Sequence, residues 1–173
     1  MQKVLVSIAN FACEEADEIA PMFNKNGEQI GEISITFRPY LFEFLDDISS
    51  RFELVLYTSY STEYMEAIVK VLEKRKKYFA YKFGEDFCII ANISSYSVKC
   101  VNFLLGNRSE NDIIMVDNDV KEFPFSTDNF VPVSYYEGNK AEDDELPKLA
   151  SFLKKLSEEK NVREVIKHYR NLS

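Results

Sequence analysis

The sequence predicts a three-layer α/β domain with a mainly parallel central sheet and a small β-hairpin inserted after the first strand. Three observations carry that expectation. Apolar runs at Val4-Leu5-Val6, Leu54-Val55-Leu56 and Ile113-Ile114-Met115-Val116 are too short for helices and read as buried strands. Stretches with apolar residues at helical spacing alternate with them, as when helices cover a parallel sheet. Each run also ends in polar residues: Ser7, then Thr58 with Ser59, then Asp117 with Asn118. Ligands of open α/β sheets bind at the carboxyl ends of the strands, so the three tips should converge on one site.

Taken in order, the first strand covers residues 4–6. An acidic stretch follows over 10–21, in which Glu14, Glu15, Asp17 and Glu18 keep no fixed spacing from a strand tip and read as a solvated loop. Over 22–37, Asn26-Gly27 lies between flanks where Ile30, Ile33, Ile35 and Phe37 are interleaved with polar residues, a hairpin signal. Pro39 suits the first position of a helix whose Leu41, Phe44, Leu45 and Ile48 share one face. After the strand at Leu54, Ser61 or Thr62 can cap a second helix carrying Tyr64, Ile68, Val71 and Leu72, with the basic residues 74–77 at its negative end. Residues 78–83 and 87–91 read as short strands. Residues 97–105 read as a helix with Val98, Val101 and Leu105 inward, ended by Gly106. The strand over 112–117 is followed by one over 130–134, which Pro132 confines to an edge. Two helices close the chain, one burying Leu146, Leu149, Ala150 and Leu153, the other capped by Asn161 with Glu164 and carrying Val165, Ile166 and Tyr169.

With 173 residues, 46% of them apolar, and neither an internal repeat nor a low-complexity linker, residues 1–173 are expected to form a single domain. A net charge of -8 argues against a binder of nucleic-acid phosphates and for basic or neutral partners. Cys13, Cys88 and Cys100 lack metal-ligand spacing, and the lone His168 falls in the last helix, so neither a zinc site nor a disulfide framework is expected. With no leader and no membrane-spanning run, the expected setting is intracellular, nuclear or cytoplasmic, without membrane contact.

Arg38-Pro39 with Glu43-Phe44-Leu45, then Phe52 to Ser59 with Tyr64, then Lys99, then Ile113 to Asn118, then Asp128-Asn129 with Val131-Pro132-Val133, follow one another in an order that resembles the NLI-interacting-factor-like phosphatases. These are phosphatases of the RNA polymerase II C-terminal domain, within the haloacid dehalogenase superfamily. The resemblance implies a HAD-like (Rossmannoid) domain and phosphoryl transfer through an aspartyl-phosphate. In active members the first strand ends in Asp-Leu-Asp-Glu-Thr, where the first Asp is the nucleophile and a magnesium ligand and the second is the general acid and base. Carried over, Thr58 takes the role of a phosphate-oxygen donor, Lys99 that of the neutralising lysine, and Asp117 with Asn118 the last metal motif. The first motif fails, with Ser7 and Ala9 at the two Asp positions and Asn10-Phe11 where Glu-Thr is usual. The arginine expected before the lysine falls near Asn92.

Loss of both carboxylates removes the nucleophile and the proton relay, and the relay alone is worth roughly 10²- to 10⁴-fold. A serine hydroxyl without an adjacent base is a poor substitute, and position 9 offers only alanine. The expected function is a pseudophosphatase acting as a binding or regulatory protein, with no cofactor in place of the magnesium of active relatives. Its partner is expected to be a protein or phosphoprotein, an active family member among the candidates. With two carboxylates gone and Lys99 kept, a metal-free phosphate or phosphopeptide site at Thr58 and Lys99 is a further expectation. The alternative is an active serine/threonine phosphatase with atypical chemistry, using Ser7 or an acid of the 14–18 stretch. A membrane-translocase subunit of the same fold is disfavoured by the expected lack of an anchor.

Overall fold

The structure, a computed structural model, describes residues 3–11, 13–91, 96–100 and 105–172. Strand β1 (Val6–Ala9) pairs antiparallel with β3 (Gln29–Phe37), which pairs antiparallel with β2 (Glu18–Phe23), giving the order β1-β3-β2. The turn of this hairpin is built by Asn24, whose Oδ1 accepts from the backbone of Asn26 and Glu28, and by Gly27 at φ +81°, a conformation that a side chain would strain. The hairpin starts earlier than its sequence signal. Residues 18–21 are strand, and Glu18 pairs with Lys74 at 2.7 Å. Asp17 is equally engaged, one carboxylate oxygen accepting from Phe37 N at 2.7 Å and the other meeting Lys140 at 2.5 Å. The expected solvated loop is thus partly a strand and partly an anchoring point.

β1 itself begins at Val6, whereas the apolar run predicts residues 4–6. Residues 3–5 form a turn, with Lys3 at φ 67° donating to Val6 O at 2.7 Å. The carbonyls of Lys3, Val4 and Leu5 accept from Tyr136 N, Arg38 Nη1 and Arg38 N at 2.8, 3.1 and 3.0 Å. Those acceptors are spent on the turn and its neighbours and not on a strand ladder. Ser7 consequently stands inside the strand opposite Thr36, and Ala9 opposite Ser34, not beyond the strand tip.

The parallel part consists of β4 (Leu54–Tyr57) with β5 (Phe79–Phe83), and β8 (Met115–Asp117) with β9 (Phe130–Pro132). Between them in sequence, β6 (Ile89–Ala91) and β7 (Tyr96–Val98) form an antiparallel pair with Ile89 opposite Val98. The helix expected over 97–105 therefore does not start at Ser97, because pairing with β6 claims that backbone. Its middle, residues 101–104, and Asn92 lie outside the described residues.

Four helices follow the apolar periodicity closely. α1 (Leu41–Ser49) buries Leu41, Phe44, Leu45 and Ile48, and α2 (Thr62–Leu72) buries Ile68, Val71 and Leu72 against the hairpin. α3 (Glu145–Leu156) buries Leu146, Leu149, Leu153 and Leu156 and packs on α1. In α4 (Val162–Leu172), Asn161 Oδ1 accepts from Arg163 N, and Tyr169 stacks on Phe152 with centroids 4.4 Å apart. Each fully buried Leu or Ile contributes about 1.5–3 kcal/mol over an exposed one, so these stripes dominate the stability of the helical layer. The basic residues after α2 act differently from a helix-dipole match. Lys74 reaches Glu18 and Lys76 reaches Asp46 at 3.4 Å, so they join the helix end to its neighbours. Among the described residues no helix is long and apolar enough to cross a membrane.

Candidate functional site

β8 delivers Asp117 to its carboxyl end, and the segment after β7 delivers Lys99 beside it. Lys99 Nζ lies 2.7 Å from Asp117 Oδ2 and 2.5 Å from Glu122 Oε2, with the Phe123 ring centroid 5.2 Å away. Lys99 and Asp117 are 3% and 4% exposed, so both charges depend on each other for compensation. Burial works against the Lys99 ammonium, yet the carboxylates of Asp117 and Glu122 outweigh it and hold the amine above its ordinary pKa. For Asp117, burial pushes the carboxyl up, while nearby positive charge that includes Lys99, with hydrogen bonds from Lys99 and from Asn118 N at 2.7 Å, holds it lower than usual.

Thr58 follows β4 and is 2% exposed. Its amide donates to Phe83 O at 2.9 Å, and its hydroxyl accepts from Tyr60 N at 3.3 Å, a turn that leads into α2. The Cys88 thiol lies 3.8 Å from Thr58 O, and burial pushes its pKa up while Lys99 pulls it down. Thr58, Cys88, Lys99, Asp117 and Glu122 thus form one neighbourhood at the ends of β4 and β8.

Ser7 and Ala9 lie on β1. They line a cleft of about 1150 Å³ with Thr36, Tyr60, Tyr64, Glu15 and the 137–141 loop, and none of Thr58, Lys99, Asp117 or Asn118 lines it. Tyr60 stands between the two regions. Above Ser7 the backbone of Gly138 takes φ +101°, and a Cβ there would meet Ser7 Cβ at 3.5 Å and Oγ at 3.7 Å. Tyr64 donates to Asn10 Oδ1 at 2.9 Å, and Phe11 is 72% exposed.

Sequence motifs identify Lys99 and Asp117 as neighbours, and the structure brings them into contact. They miss Glu122 and Cys88. Glu122 sits five residues past Asp117 on a turn, and the one available signal was a second carboxylate close behind the Asp-Asn pair. Its presence changes the charge at the site, since two carboxylates now face one ammonium. An anion approaching Lys99 therefore meets both carboxylates. Magnesium needs several oxygen ligands, chiefly carboxylates or phosphates. Asp117 Oδ2 is held by Lys99, Ser7 lines the other cleft, and among the described residues no three His, Cys, Asp or Glu side chains are arranged so that they could hold a metal ion. This donor set does not fit the ion.

A sequence profile described as NLI interacting factor-like phosphatase matches residues 2–163. Among curated relatives, the CTD small phosphatase-like protein 3 of Caenorhabditis elegans is 27% identical over 140 residues, covering 79% of this chain and 46% of the relative. The mitochondrial import inner membrane translocase subunit TIM50 of Candida glabrata is 25% identical over 136 residues, covering 78% of this chain and 27% of the relative. The chain therefore spans less than half the length of either. The fission yeast RNA polymerase II CTD phosphatase Fcp1, solved with beryllium fluoride, superposes with a TM-score of 0.61 at 16% identity, over 99% of this chain and 53% of that one. At that identity the likeness speaks for the fold, a HAD-like α/β domain.

Proposed function

Because the chain belongs to the NLI interacting factor-like phosphatase family, we propose that it is a pseudophosphatase, a phosphatase-like domain that binds a protein partner and does not turn over phosphate esters. One observation carries the reading: β1, the strand that bears two catalytic carboxylates in active members, bears Ser7 and Ala9. Ser7 has Thr36 opposite it and the Gly138 backbone above it, and neither is a base. No magnesium is assigned, since the donors that would hold it are missing or spent.

The partner proposed is a protein with a neutral or basic surface, in line with the chain's charge of -8 and with a cleft in which Glu15 and Glu137 stand beside hydroxyl, amide, tyrosine and apolar groups. An active family member is one candidate. A phosphoprotein is disfavoured by the double pairing of Lys99. The proposed setting is nuclear or cytoplasmic, which suits three free cysteines.

The test is hydrolysis of an aryl phosphate and of a phosphorylated heptad peptide with magnesium present. No turnover above background is expected; turnover that vanishes in Ser7→Ala overturns the reading. A second reading, atypical catalysis, is favoured by Glu15 lining the same cleft as Ser7. It requires turnover that Glu15→Gln also abolishes.

A further inference from the structure

We propose that the carboxylate of Glu122 is a built-in ligand of the Thr58 and Lys99 site, occupying the place at Lys99 that an external phosphate would otherwise take. The inference rests on the non-catalytic reading and says what fills the site in its place. Glu122 is tied to Lys99 twice. Lys99 N donates to Glu122 O at 2.7 Å, and Lys99 Nζ meets Glu122 Oε2 at 2.5 Å. Oε2 is buried and finds no hydrogen bond besides that ion pair, so its orientation is set by the charge of Lys99.

The turn that carries Glu122 is itself fixed. Asp119 Oδ1 accepts from Lys121 N at 2.9 Å, Glu122 N donates to Asp119 O at 3.2 Å, and Phe123 N donates to Val120 O at 3.0 Å. Phe123, 2% exposed, anchors its end in an aromatic cluster with Phe130. Glu122 is not placed there by a mobile side chain alone.

Asp117 cannot play the same part. Its second oxygen is held by Asn118 N, and its side chain is 6% exposed against 25% for Glu122. Asp117 thus supports Lys99 from the protein side, and Glu122 covers it on the side open to water. The charge of Glu122 is also felt by the Tyr60 phenol and the Cys88 thiol, whose ionisation it opposes along with burial. Tyr60 N bonds the Thr58 hydroxyl and Cys88 lies against Thr58 O, so the two groups that sense the charge of Glu122 are the ones packed on Thr58.

An incoming phosphate dianion must therefore displace a carboxylate of like charge. Glu122→Gln keeps the size of the side chain and removes that charge. At the dielectric found near a protein surface, removing one like charge beside the phosphate should let the variant bind it at least ~10-fold more tightly.

The experiment is a titration of the whole chain with inorganic phosphate, without magnesium, followed by amide NMR shifts in wild type, Glu122→Gln and Glu122→Gln with Thr58→Val. Expected are shifts around Thr58, Cys88 and Lys99 in Glu122→Gln, at least tenfold tighter than in wild type and weakened by the added Thr58→Val. Glu122→Ala, which also removes the charge, serves as a second variant if Glu122→Gln does not fold, with the same direction expected. Equal phosphate affinity in wild type and variant, or no binding by any, overturns the proposal. Turnover by the wild type would instead sink the non-catalytic reading and leave this comparison standing.

Discussion

Lys99 sits with almost no water around it and two carboxylates against it, so its removal strands their charges. Breaking a buried pair by deleting one partner costs about 3–5 kcal/mol, and Lys99→Met is expected to lower unfolding stability by that amount in urea denaturation. Asp117 sets the acid limb. Its folded pKa is held below the ordinary value of 3.8, so its contribution is present above about pH 4 and is lost as pH falls through the folded value. Urea midpoints measured from pH 6 downward should fall more steeply for wild type than for Asp117→Asn. Lys99 works at the other end, its raised pKa giving stability that is present below 10.5 and lost as pH rises through the folded value. Residue identity made this pair legible in the sequence, because a lysine and an Asp-Asn tip occur in the family order. Glu122 was not legible, because only the turn over 119–123 brings it back to Lys99.

At the level of elements, the helices were readable because burial of one stripe leaves a 3.6-residue period, as with Leu41, Phe44, Leu45 and Ile48 in α1. The strands were less so, since a short apolar run does not say which partner takes its backbone. The run Val4 to Val6 reads as strand, yet Arg38 and Tyr136 take the carbonyls of residues 3–5 and push β1 onward to Val6–Ala9. Likewise Tyr96–Val98 is strand because β6 pairs with it, not because of its own pattern. Arg38 is 1% exposed and donates to both oxygens of Asp143, to Val4 O, to Ser134 O and to Ser134 Oγ. Arg38→Met leaves those acceptors and a carboxylate unmatched. Its expected cost is about 3–5 kcal/mol, read as a drop in the urea midpoint, with Asp143→Asn less damaging because the guanidinium keeps its three other acceptors.

For the whole molecule, the question is whether the parts of an active site still meet. Ser7→Asp with Ala9→Asp restores the two missing carboxylates, and the sequence alone leads one to expect that this rebuilds a magnesium site if the other residues keep their family geometry. In the structure those positions face the cleft under Gly138, and Asp117 is bound to Lys99. The double variant is therefore expected to fold and to show no magnesium-dependent shift of its amide resonances near Asp117. Clear shifts there on adding magnesium would show that the two regions close on each other. Fold class was legible because the alternation of strand and helix survives every local shift of boundary, whereas the site depended on distances that no motif encodes.

The clasp around Arg38 also sets an order of events during synthesis. Val4 and Asp143 are both partners of one guanidinium, and Asp143 lies 105 residues beyond Arg38. At about 5–20 residues per second, a growing chain waits roughly 5–20 s between the appearance of Arg38 and that of its carboxylate partner. Until then the amino-terminal turn lacks Tyr136 and Ser134 as well, so the turn over residues 3–5 waits for its partners although it is among the first pieces to be made.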